Sequence, residues 1–173
     1  MKVVLTLFRV LLGMPNYIRP RAPGATIFFT VTLAERGSDL LVREIDRLRA
    51  AVVATRRERP FAVDAWVVLP DHMHCVWTLP EGDRDFPTRW RLIKSRFSRG
   101  LPKGPLRASH VARMERGIWQ RRYWEHHIRN AEDYAAHVQY CWHNPVKHGF
   151  VACPEAWPYS SIHRATDANH DTA

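Results

Sequence analysis

The amino-acid sequence predicts an α+β protein in which helices pack against an antiparallel sheet. Three patterns support this class: extended segments rich in β-branched and aromatic residues, segments with apolar residues at every third or fourth position, and two extended segments joined by a short turn. The predicted order of elements is strand, helix, strand, strand, helix, strand, helix. With 173 residues, the chain has the size of one domain.

The first half of the chain is expected to supply a strand, a helix and a hairpin. Residues 26–33 (TIFFTVTL) are typical of a strand. Ser38 is a candidate N-cap for a helix over residues 39–57, because the apolar residues of that segment fall on one helical face. Residues 61–69 and 72–79 predict two strands joined at a Pro-Asp turn, and together they form the hairpin.

The second half of the chain is expected to add two helices and a strand. Residues 86–99 predict a basic helix with one apolar stripe. Residues 118–128 alternate irregularly but are rich in aromatic residues, and we interpret them as the fourth strand. Asn130 is expected to cap a helix over residues 131–143. We expect Pro145 to end this helix, because the residue before a proline avoids helical backbone angles.

The positive charge of the chain is concentrated in one segment. Lys and Arg number 26 against 17 Asp and Glu, a formal net charge of +9. Residues 84–122 hold twelve basic and two acidic residues, a net of +10, so the rest of the chain nets −1. Such a patch indicates a polyanionic partner such as nucleic acid, although a solvated helix face with a basic loop gives the same pattern. The candidate phosphate contacts are Arg89, Arg91, Lys94, Arg96, Arg99, Lys103, Arg121 and Arg122.

Aromatic residues are interspersed with these basic residues, and nucleic-acid-binding proteins stack unpaired bases on such rings. We expect Trp90 and Trp124 to lie in the interior. Trp119 and Tyr123 stay candidates for either core packing or base stacking. The role of three further residues stays open between a structural one and one that faces a nucleic acid: Glu125, His126 and His127.

The cysteine content and the distribution of apolar residues indicate the setting of the protein. Three cysteines without a C-x-x-C pair disfavour a disulfide framework and indicate a reducing, cytoplasmic environment. No apolar stretch is long enough to span a membrane. We interpret residues 1–15 as an N-terminal extension, with Met14 as an alternative start of translation, residues 16–164 as a single domain and residues 165–173 as a disordered tail.

Two histidines interrupt an otherwise apolar predicted strand, in the sequence LPDHMHCVW. His72 and His74 are two positions apart, so their side chains point to the same face of a strand. Two neighbouring imidazoles can bind one metal cation. The alternative is that one ring is a hydrogen-bonded surface group and the other is incidental. The pair by itself is a weak signal, and a third ligand or a reactive group would strengthen it.

The last predicted helix carries the other candidate residues. Tyr140 and Asn144 are four positions apart and therefore adjacent on one helical stripe. The carbonyl oxygen of Asn144 could bind a hard cation, while Tyr140 presents a phenol to a phosphate held by that cation. The alternative is that Tyr140 is an aromatic residue at the core edge and Asn144 a cap at the end of the helix.

Six segments in order resemble the REP-associated tyrosine transposases, a branch of the single-tyrosine transposases that carry a His-hydrophobic-His (HUH) motif. The segments are ATIFFTVTL, VVLPDHMHCVWTLP, RWRLIKSRFSRG, IWQRRYWEHHIR, YCWHNPVKHGF and WPYSS. The resemblance covers about residues 16–164. It implies a ferredoxin-like or RRM-like α+β fold and, as substrate, single-stranded DNA hairpins formed by the repetitive extragenic palindromes (REP) of bacterial genomes.

The resemblance also implies roles for individual residues. His72 and His74 match the HUH pair, and Tyr140 matches the nucleophile. Asn144 matches the position where related transposases carry a polar third ligand, typically glutamine. This chain departs from the pattern because Asn144 directly precedes Pro145, which could strain or end the helix. Two histidines are reserve ligands: His143 and His148.

Together these inferences predict an enzyme that nicks and rejoins single-stranded DNA at REP hairpins through a 5′-phosphotyrosine intermediate, with Mg²⁺ or Mn²⁺ as cofactor. It would act as a monomer or a homodimer, in the cytoplasm and associated with the nucleoid. One alternative is an RRM-like module that binds hairpins or single strands without cutting them. Another is a metal-dependent phosphodiesterase that activates water and does not use the tyrosine.

Overall fold

The computed structural model describes residues 22–104, 106 and 114–164. The extension predicted for residues 1–15 and the tail predicted for 165–173 lie outside these ranges, so the domain limits stay a prediction. The strands are β1 (Thr26–Thr32), β2 (Ala62–Val68), β3 (His72–Thr78) and β4 (Trp124–His127). The helices are α1 (Leu40–Arg43), α2 (Ile45–Glu58), α3 (Phe86–Ser98) and α4 (Ala131–Lys147), followed by a 3₁₀ turn over Pro154–Ala156. Among the described helices, none has the length and apolar character needed to cross a membrane.

The four strands form one antiparallel sheet in the order β2-β3-β1-β4. The predicted α+β class with an antiparallel sheet and packed helices is therefore confirmed, as is the hairpin of β2 and β3. Strand β3 occupies an inner position between β2 and β1. Its register with β1 places His72 opposite Thr32 and His74 opposite Thr30.

Alternation of side chains along β1 separates two cores, one on each face of the sheet. Phe29 points to the face packed against α2 and α3, where its ring lies 5.4 Å from that of Trp90. Phe28 points to the opposite face, which α4 covers with Val138. Helices α3 and α4 consequently lie on opposite sides of the sheet, and this decides which of the predicted site residues can meet.

The helix predicted over residues 39–57 is interrupted. Helix α1 ends at Arg43 and α2 begins at Ile45, because Glu44 between them has φ −105° and ψ 32°, outside the helical region. Ser38 is not the cap residue, although its Oγ accepts a hydrogen bond from the N–H of Leu40 at 3.3 Å. Asp39 occupies the cap position of α1 instead.

The fourth strand is shorter than the predicted residues 118–128. Strand β4 covers Trp124–His127, and Trp119 makes only an isolated bridge with Leu33. The side chains of Trp119 and Tyr123 pack against the core that contains α3. The aromatic residues that suggested a long strand are thus used for packing before the strand begins.

Helix α4 does not end before Pro145, so that prediction is wrong. Asn130 caps the helix as predicted, since its Oδ1 accepts the N–H of Asp133 at 2.8 Å. Pro145 lies inside the last turn, where its missing N–H costs one helical hydrogen bond without stopping the helix. The end of the helix is held by the N–H of His148, which donates to the carbonyl of Asn144 at 3.0 Å, and by that of Phe150, which donates to Pro145 at 3.0 Å.

Candidate active site

The two histidines of β3 lie side by side on the sheet face that α4 covers. The ring centroids of His72 and His74 are 5.1 Å apart, and the ring planes are nearly perpendicular. Both residues are buried. The prediction that they share one face of a strand is confirmed.

The Nδ1 atom of each histidine is engaged by a neighbouring oxygen. His72 Nδ1 lies 2.6 Å from Oδ1 of Asp71, and His74 Nδ1 lies 2.8 Å from Oγ1 of Thr30. Asp71 is itself held by the backbone N–H of Gly37 at 2.9 Å and by Nε of Arg36 at 3.2 Å. Such outer contacts fix the orientation of an imidazole and leave Nε2 as the nitrogen that can bind a ligand.

Burial keeps both imidazoles in the neutral form that binds metals. It lowers the pKa of His72, and the hydrogen bond that His72 donates to Asp71 opposes this effect only in part. Burial lowers the pKa of His74 more strongly. The ammonium of Lys147 acts in the same direction, as do His72 and His148 when they are protonated, and the amide of Asn144 opposes them. Both rings are therefore uncharged at pH 7.

Helix α4 brings the predicted tyrosine and asparagine to the same place. The ring of Tyr140 lies 5.1 Å from that of His74 between centroids, in an edge-on arrangement. Asn144 is buried one turn further along α4, close enough to His74 to affect its pKa. Lys147 places its Nζ 5.0 Å from the centroid of the Tyr140 ring. The structure therefore brings a phenol, an amide, two imidazoles and one ammonium group together.

The amide of Asn144 is consistent with a cation site. Neither Oδ1 nor Nδ2 has a hydrogen-bond partner of good geometry among the described residues, although both atoms are buried. A buried polar group without a partner is costly and requires an explanation. One amide oxygen beside two neutral imidazoles is a donor set that a divalent cation accepts when water or substrate oxygens complete its shell. The residues present thus fit the metal that the resemblance implies.

The two reserve histidines differ in their positions. His148 lies at the end of α4 with its ring 5.2 Å from that of His72, and it is exposed. His143 is also exposed, but its Nδ1 lies 3.1 Å from the carbonyl oxygen of Gln139 in the preceding turn. His148 is therefore the reserve residue that borders the site.

A second group of potential ligands lies near the edge strand. His126 Nε2 is 2.9 Å from Oδ2 of Asp133, and His137 Nδ1 is 3.2 Å from Oδ1 of the same carboxylate. The two imidazoles stack with 16° between their planes and 4.6 Å between centroids, so their in-plane lone pairs cannot converge on one ion. Nε of Arg129 also donates a hydrogen bond to Oδ2 of Asp133, at 3.0 Å. The arrangement is that of a hydrogen-bonded cluster joining β4 to α4.

This cluster explains one of the three residues whose role was open. His126 faces α4, whereas Glu125 and His127 point to the opposite face, as expected from alternation along a strand. Glu125 is buried there, and the ring of His127 lies 6.1 Å from that of Phe86. All three side chains consequently contribute to packing or to the hydrogen-bond network around β4.

Arg89 is not a phosphate contact, contrary to the sequence-based prediction. Its side chain is 1% exposed, and its guanidinium donates to Oδ2 of Asp83 at 2.6 Å and to the carbonyl of Pro60 at 2.7 Å. A buried guanidinium with these partners joins α3 to two loops. Arg96 is likewise directed at α2, where it pairs with Glu58 and donates to Oγ1 of Thr55 at 2.6 Å.

The remaining basic candidates lie at the surface around a groove between α3 and residues 114–123. The groove has a volume of about 710 Å³ and is lined by Trp90, Arg91, Lys94, Trp119 and Arg121, among others. Nζ of Lys94 lies 5.6 Å from the ring of Trp119 and 5.4 Å from that of Tyr123. Three further candidates are exposed after α3 and before β4: Arg99, Lys103 and Arg122. This groove lies on the face of the sheet opposite the two histidines.

The interior predictions for the two tryptophans have different outcomes. Trp90 is buried with 1% exposure and stacks on Trp77, as predicted. Trp124 is only partly buried and stacks on His126 at the edge of the sheet. Trp119 and Tyr123 are partly buried as well, so part of each ring remains accessible at the groove.

Sequence reasoning missed the residues that orient the two imidazoles. Asp71 was interpreted as a turn residue only, although an acidic residue directly before the first histidine is a readable signal for a histidine partner. Thr30 could not be found in this way, because it meets His74 only through the register of β1 and β3.

Comparison with known proteins identifies the family. No family model matches the sequence. The chain is 49% identical over 151 residues to the REP-associated tyrosine transposase of Escherichia coli strain K12. The aligned region covers 87% of this chain and 84% of that protein. It is 41% identical over 157 residues to a Haemophilus influenzae protein assigned to the same group, with 90% and 89% covered.

A solved structure agrees with these sequence relationships. The structure of a REP-associated tyrosine transposase bound to a REP hairpin matches this fold with a TM-score of 0.76 at 49% identity, covering 87% of this chain and 84% of that one. The resemblance inferred from the six sequence segments is thereby confirmed. The chain belongs to the REP-associated tyrosine transposases, a family of enzymes with the α+β HUH fold.

Proposed function

We propose that this protein nicks and rejoins single-stranded DNA at REP hairpins through a 5′-phosphotyrosine intermediate. The observation that carries the proposal is the contact between Tyr140 and His74, with 5.1 Å between ring centroids, on the face where the two histidines and Asn144 meet. The hairpin bound by the solved relative supports the same class of substrate for this chain.

In this reaction the phenolic oxygen of Tyr140 attacks the scissile phosphorus. The bond from phosphorus to the 3′ oxygen breaks, so the upstream strand leaves with a 3′-OH and the downstream strand stays linked to Tyr140 by its 5′ phosphate. Phenols are largely protonated at neutral pH, so the proton passes to an acceptor as the new bond forms. Because Tyr140 is only partly buried, water can reach it to take that proton. Attack by another 3′-OH on the phosphotyrosine reverses the step and needs no ATP.

The neighbouring side chains position and stabilise the reacting groups. The ammonium of Lys147 lies beside the Tyr140 ring and favours negative charge there. Nε2 of His72, Nε2 of His74 and Oδ1 of Asn144 would hold the divalent cation, Mg²⁺ or Mn²⁺. That cation would offset the charge of the phosphate and stabilise the leaving 3′ oxygen. Asp71 and Thr30 keep the two imidazoles in the orientation that this role requires.

The groove beside α3 is proposed to bind the DNA backbone. Its phosphate contacts are the exposed basic residues together with Lys94 and Arg121, the latter held 2.8 Å from Glu115. Trp119 and Tyr123 are available for stacking at its floor. Arg89 is excluded by its burial, and Arg96 by its pairing with α2. Binding through these groups should weaken steeply with salt, because phosphate contacts release counterions.

The protein would work where chromosomal DNA is found, in the bacterial cytoplasm in association with the nucleoid. Its action as a monomer or as a homodimer stays a prediction. The proposed location follows from the proposed substrate.

The test uses a single-stranded REP hairpin with unpaired flanks, labelled at its 3′ end. Incubation with Mg²⁺ or Mn²⁺ should give a labelled adduct that survives denaturing electrophoresis, because the downstream strand becomes covalently linked to the protein. Cleavage without an adduct would instead indicate a metal-dependent phosphodiesterase. Tight binding without any cleavage would indicate an RRM-like binding module, and either result would overturn the proposal.

A further inference from the structure

A run of aromatic rings extends from the site to the surface beyond the end of α4. The ring of His148 lies 5.2 Å from that of His72, and the ring of Phe150 lies 6.0 Å from that of His148. Trp157 follows at 5.3 Å from Phe150, and Tyr159 meets Trp157 edge-on at 5.5 Å. The angle between the ring planes is 22° for His148 and Phe150, and 26° for Phe150 and Trp157.

The backbone holds this run rigidly. Gly149 has φ +73°, a left-handed conformation that glycine adopts without strain, and it reverses the chain between His148 and Phe150. The indole N–H of Trp157 donates to the carbonyl of Val68 at 2.9 Å, which anchors the run to the end of β2. The N–H of Val68 in turn donates to the carbonyl of Tyr159 at 2.9 Å. These bonds hold Trp157 and Tyr159 against the end of β2.

Phe150 closes the end of α4 through its backbone N–H, but much of the residue stays accessible at the surface. Its side chain is 45% exposed, and it belongs to neither of the two buried cores. The centroid separations of 5.3 Å and 6.0 Å exceed the contact distance of about 3.5 to 4 Å between stacked carbons, so the rings are offset and part of each face is open. An exposed, preorganised aromatic surface beside a buried polar site is a feature that binding surfaces share.

The charges around the run favour a nucleic acid as its partner. Lys147 lies beside the Tyr140 ring, and Arg36 pairs with Asp71 next to His72, so cations lie at the end of the run nearest the site. Aromatic side chains bind unpaired bases by stacking, whereas a paired stem offers no free base faces. The occupant that fits rings, cations and proximity to Tyr140 together is an unpaired segment of the substrate strand.

We propose that Phe150 and Trp157 form a stacking platform for the unpaired bases immediately beside the phosphate that Tyr140 attacks. The inference rests on the proposed function, since it assigns the strand next to the cut to this surface. It makes Phe150 a residue that positions the substrate, while the hairpin stem is bound elsewhere.

The experiment measures the affinity of the full-length protein for a REP hairpin with unpaired flanks, in a Tyr140→Phe background that prevents cleavage. Phe150→Ala should weaken binding by about five- to one-hundredfold, the range reported by alanine substitution at rings that stack one base. Phe150→Tyr should keep most of the affinity. The salt dependence should be unchanged, because the ring neutralises no phosphate.

Abasic substitution in the DNA locates the contact. Removing the base that stacks should weaken binding to the Phe150 form by the same factor as Phe150→Ala, and should have little further effect on the Phe150→Ala form. Equal losses in both forms would overturn the proposal, as would unchanged binding by Phe150→Ala. Val53→Ala is the matched control, because Val53 is an equally exposed apolar residue, at 47%, on the helix that packs on the other face.

The outcome can be separated from that of the proposed function. If the wild type forms the covalent adduct but Phe150→Ala binds normally, the platform is wrong and the proposed function stands. If no adduct forms but the coupled effect of Phe150 and one base is observed, the surface binds single strands and the proposed chemistry is wrong. Thermal unfolding of each variant excludes misfolding as the cause of a loss.

Discussion

The ring of Tyr140 meets the ring of His74 edge-on, at a centroid distance of 5.1 Å, although the two residues belong to a helix and a strand that are far apart in sequence. The contact fixes where the phenol stands relative to the two imidazoles. It depends on the packing of α4 against the sheet through Val138 and Cys141, which are both buried. The core between α4 and the sheet thus sets the distance between the phenol and the imidazoles.

Tyr140→Phe should abolish the covalent DNA adduct while leaving hairpin affinity within about twofold of the wild type. The aromatic ring and its packing remain, but the attacking oxygen is gone. Loss of a nucleophile typically costs at least about a thousandfold in rate. Adduct formation is followed by denaturing electrophoresis and affinity by fluorescence anisotropy. An adduct that persists in this variant would require another nucleophile.

Asp71→Asn should lower the apparent affinity for divalent metal by about 10- to 100-fold, since the partner of a ligating histidine orients it and tunes its basicity. A titration of cleavage with Mn²⁺ measures this shift. Asp46→Asn is the control, because Asp46 is an exposed carboxylate on α2 that pairs with Arg49. Identical metal dependence in Asp71→Asn and the wild type would contradict the proposed ligand role of His72.

Asp133→Asn should destabilise the fold by about 1 to 2 kcal/mol near pH 7, because a carboxylate with charged and polar partners is lost. Burial opposes ionisation of Asp133, but the hydrogen bonds from His126 and Arg129 outweigh it and hold the pKa of the carboxyl well below its usual range. Its contribution is therefore fully present above the ordinary aspartate pKa of about 3.9 and is lost as the pH falls below that value.

The measurement for Asp133 is the free energy of unfolding by denaturant at several pH values. The difference between wild type and Asp133→Asn should have its full value near pH 5 and shrink as the pH falls below the ordinary aspartate pKa of about 3.9. A difference that grows below that pH would contradict the assigned direction of the pKa shift.

Arg89→Ala should affect the stability of the fold, whereas Arg91→Ala should affect DNA binding. Arg89→Ala leaves Asp83 and the carbonyl of Pro60 without their buried donor, so we expect a loss of roughly 3 kcal/mol in stability and an unchanged salt dependence of DNA binding. Arg91→Ala should keep the stability but weaken binding and reduce the slope of log affinity against log salt by about 1. Denaturant unfolding and salt titrations distinguish the two, and a reduced salt slope in Arg89→Ala would show that its assignment to the interior is wrong.

The sequence was informative where the repeat of one strand or one helix decides which side chains share a face. The spacing of two between His72 and His74, and of four between Tyr140 and Asn144, predicted which side chains share a face. Arg89 was misassigned because charge was given more weight than position. It lies three residues after Phe86 and four before Ile93, on the apolar stripe of α3, and that spacing signals burial.

Other features depend on contacts between distant segments. Pro145 is tolerated because it falls in the last turn of α4, where the hydrogen bonds of His148 and Phe150 secure the helix end. The pairing of Thr30 with His74 requires the register of two strands, and the placement of the basic groove requires knowing which face each helix covers. Local spacing does not contain this information.

The separation of the basic groove from the histidines by the full thickness of the sheet has a consequence for the nucleic acid. One molecule that occupies both has to pass around the rim of the sheet. The groove beside α3 then holds the stem, and the histidine face cuts the unpaired flank. The two surfaces are connected through the bound DNA. Oligonucleotides trimmed to reach only one surface should dissociate these tasks, and the shortest length that restores both would measure the distance around that rim.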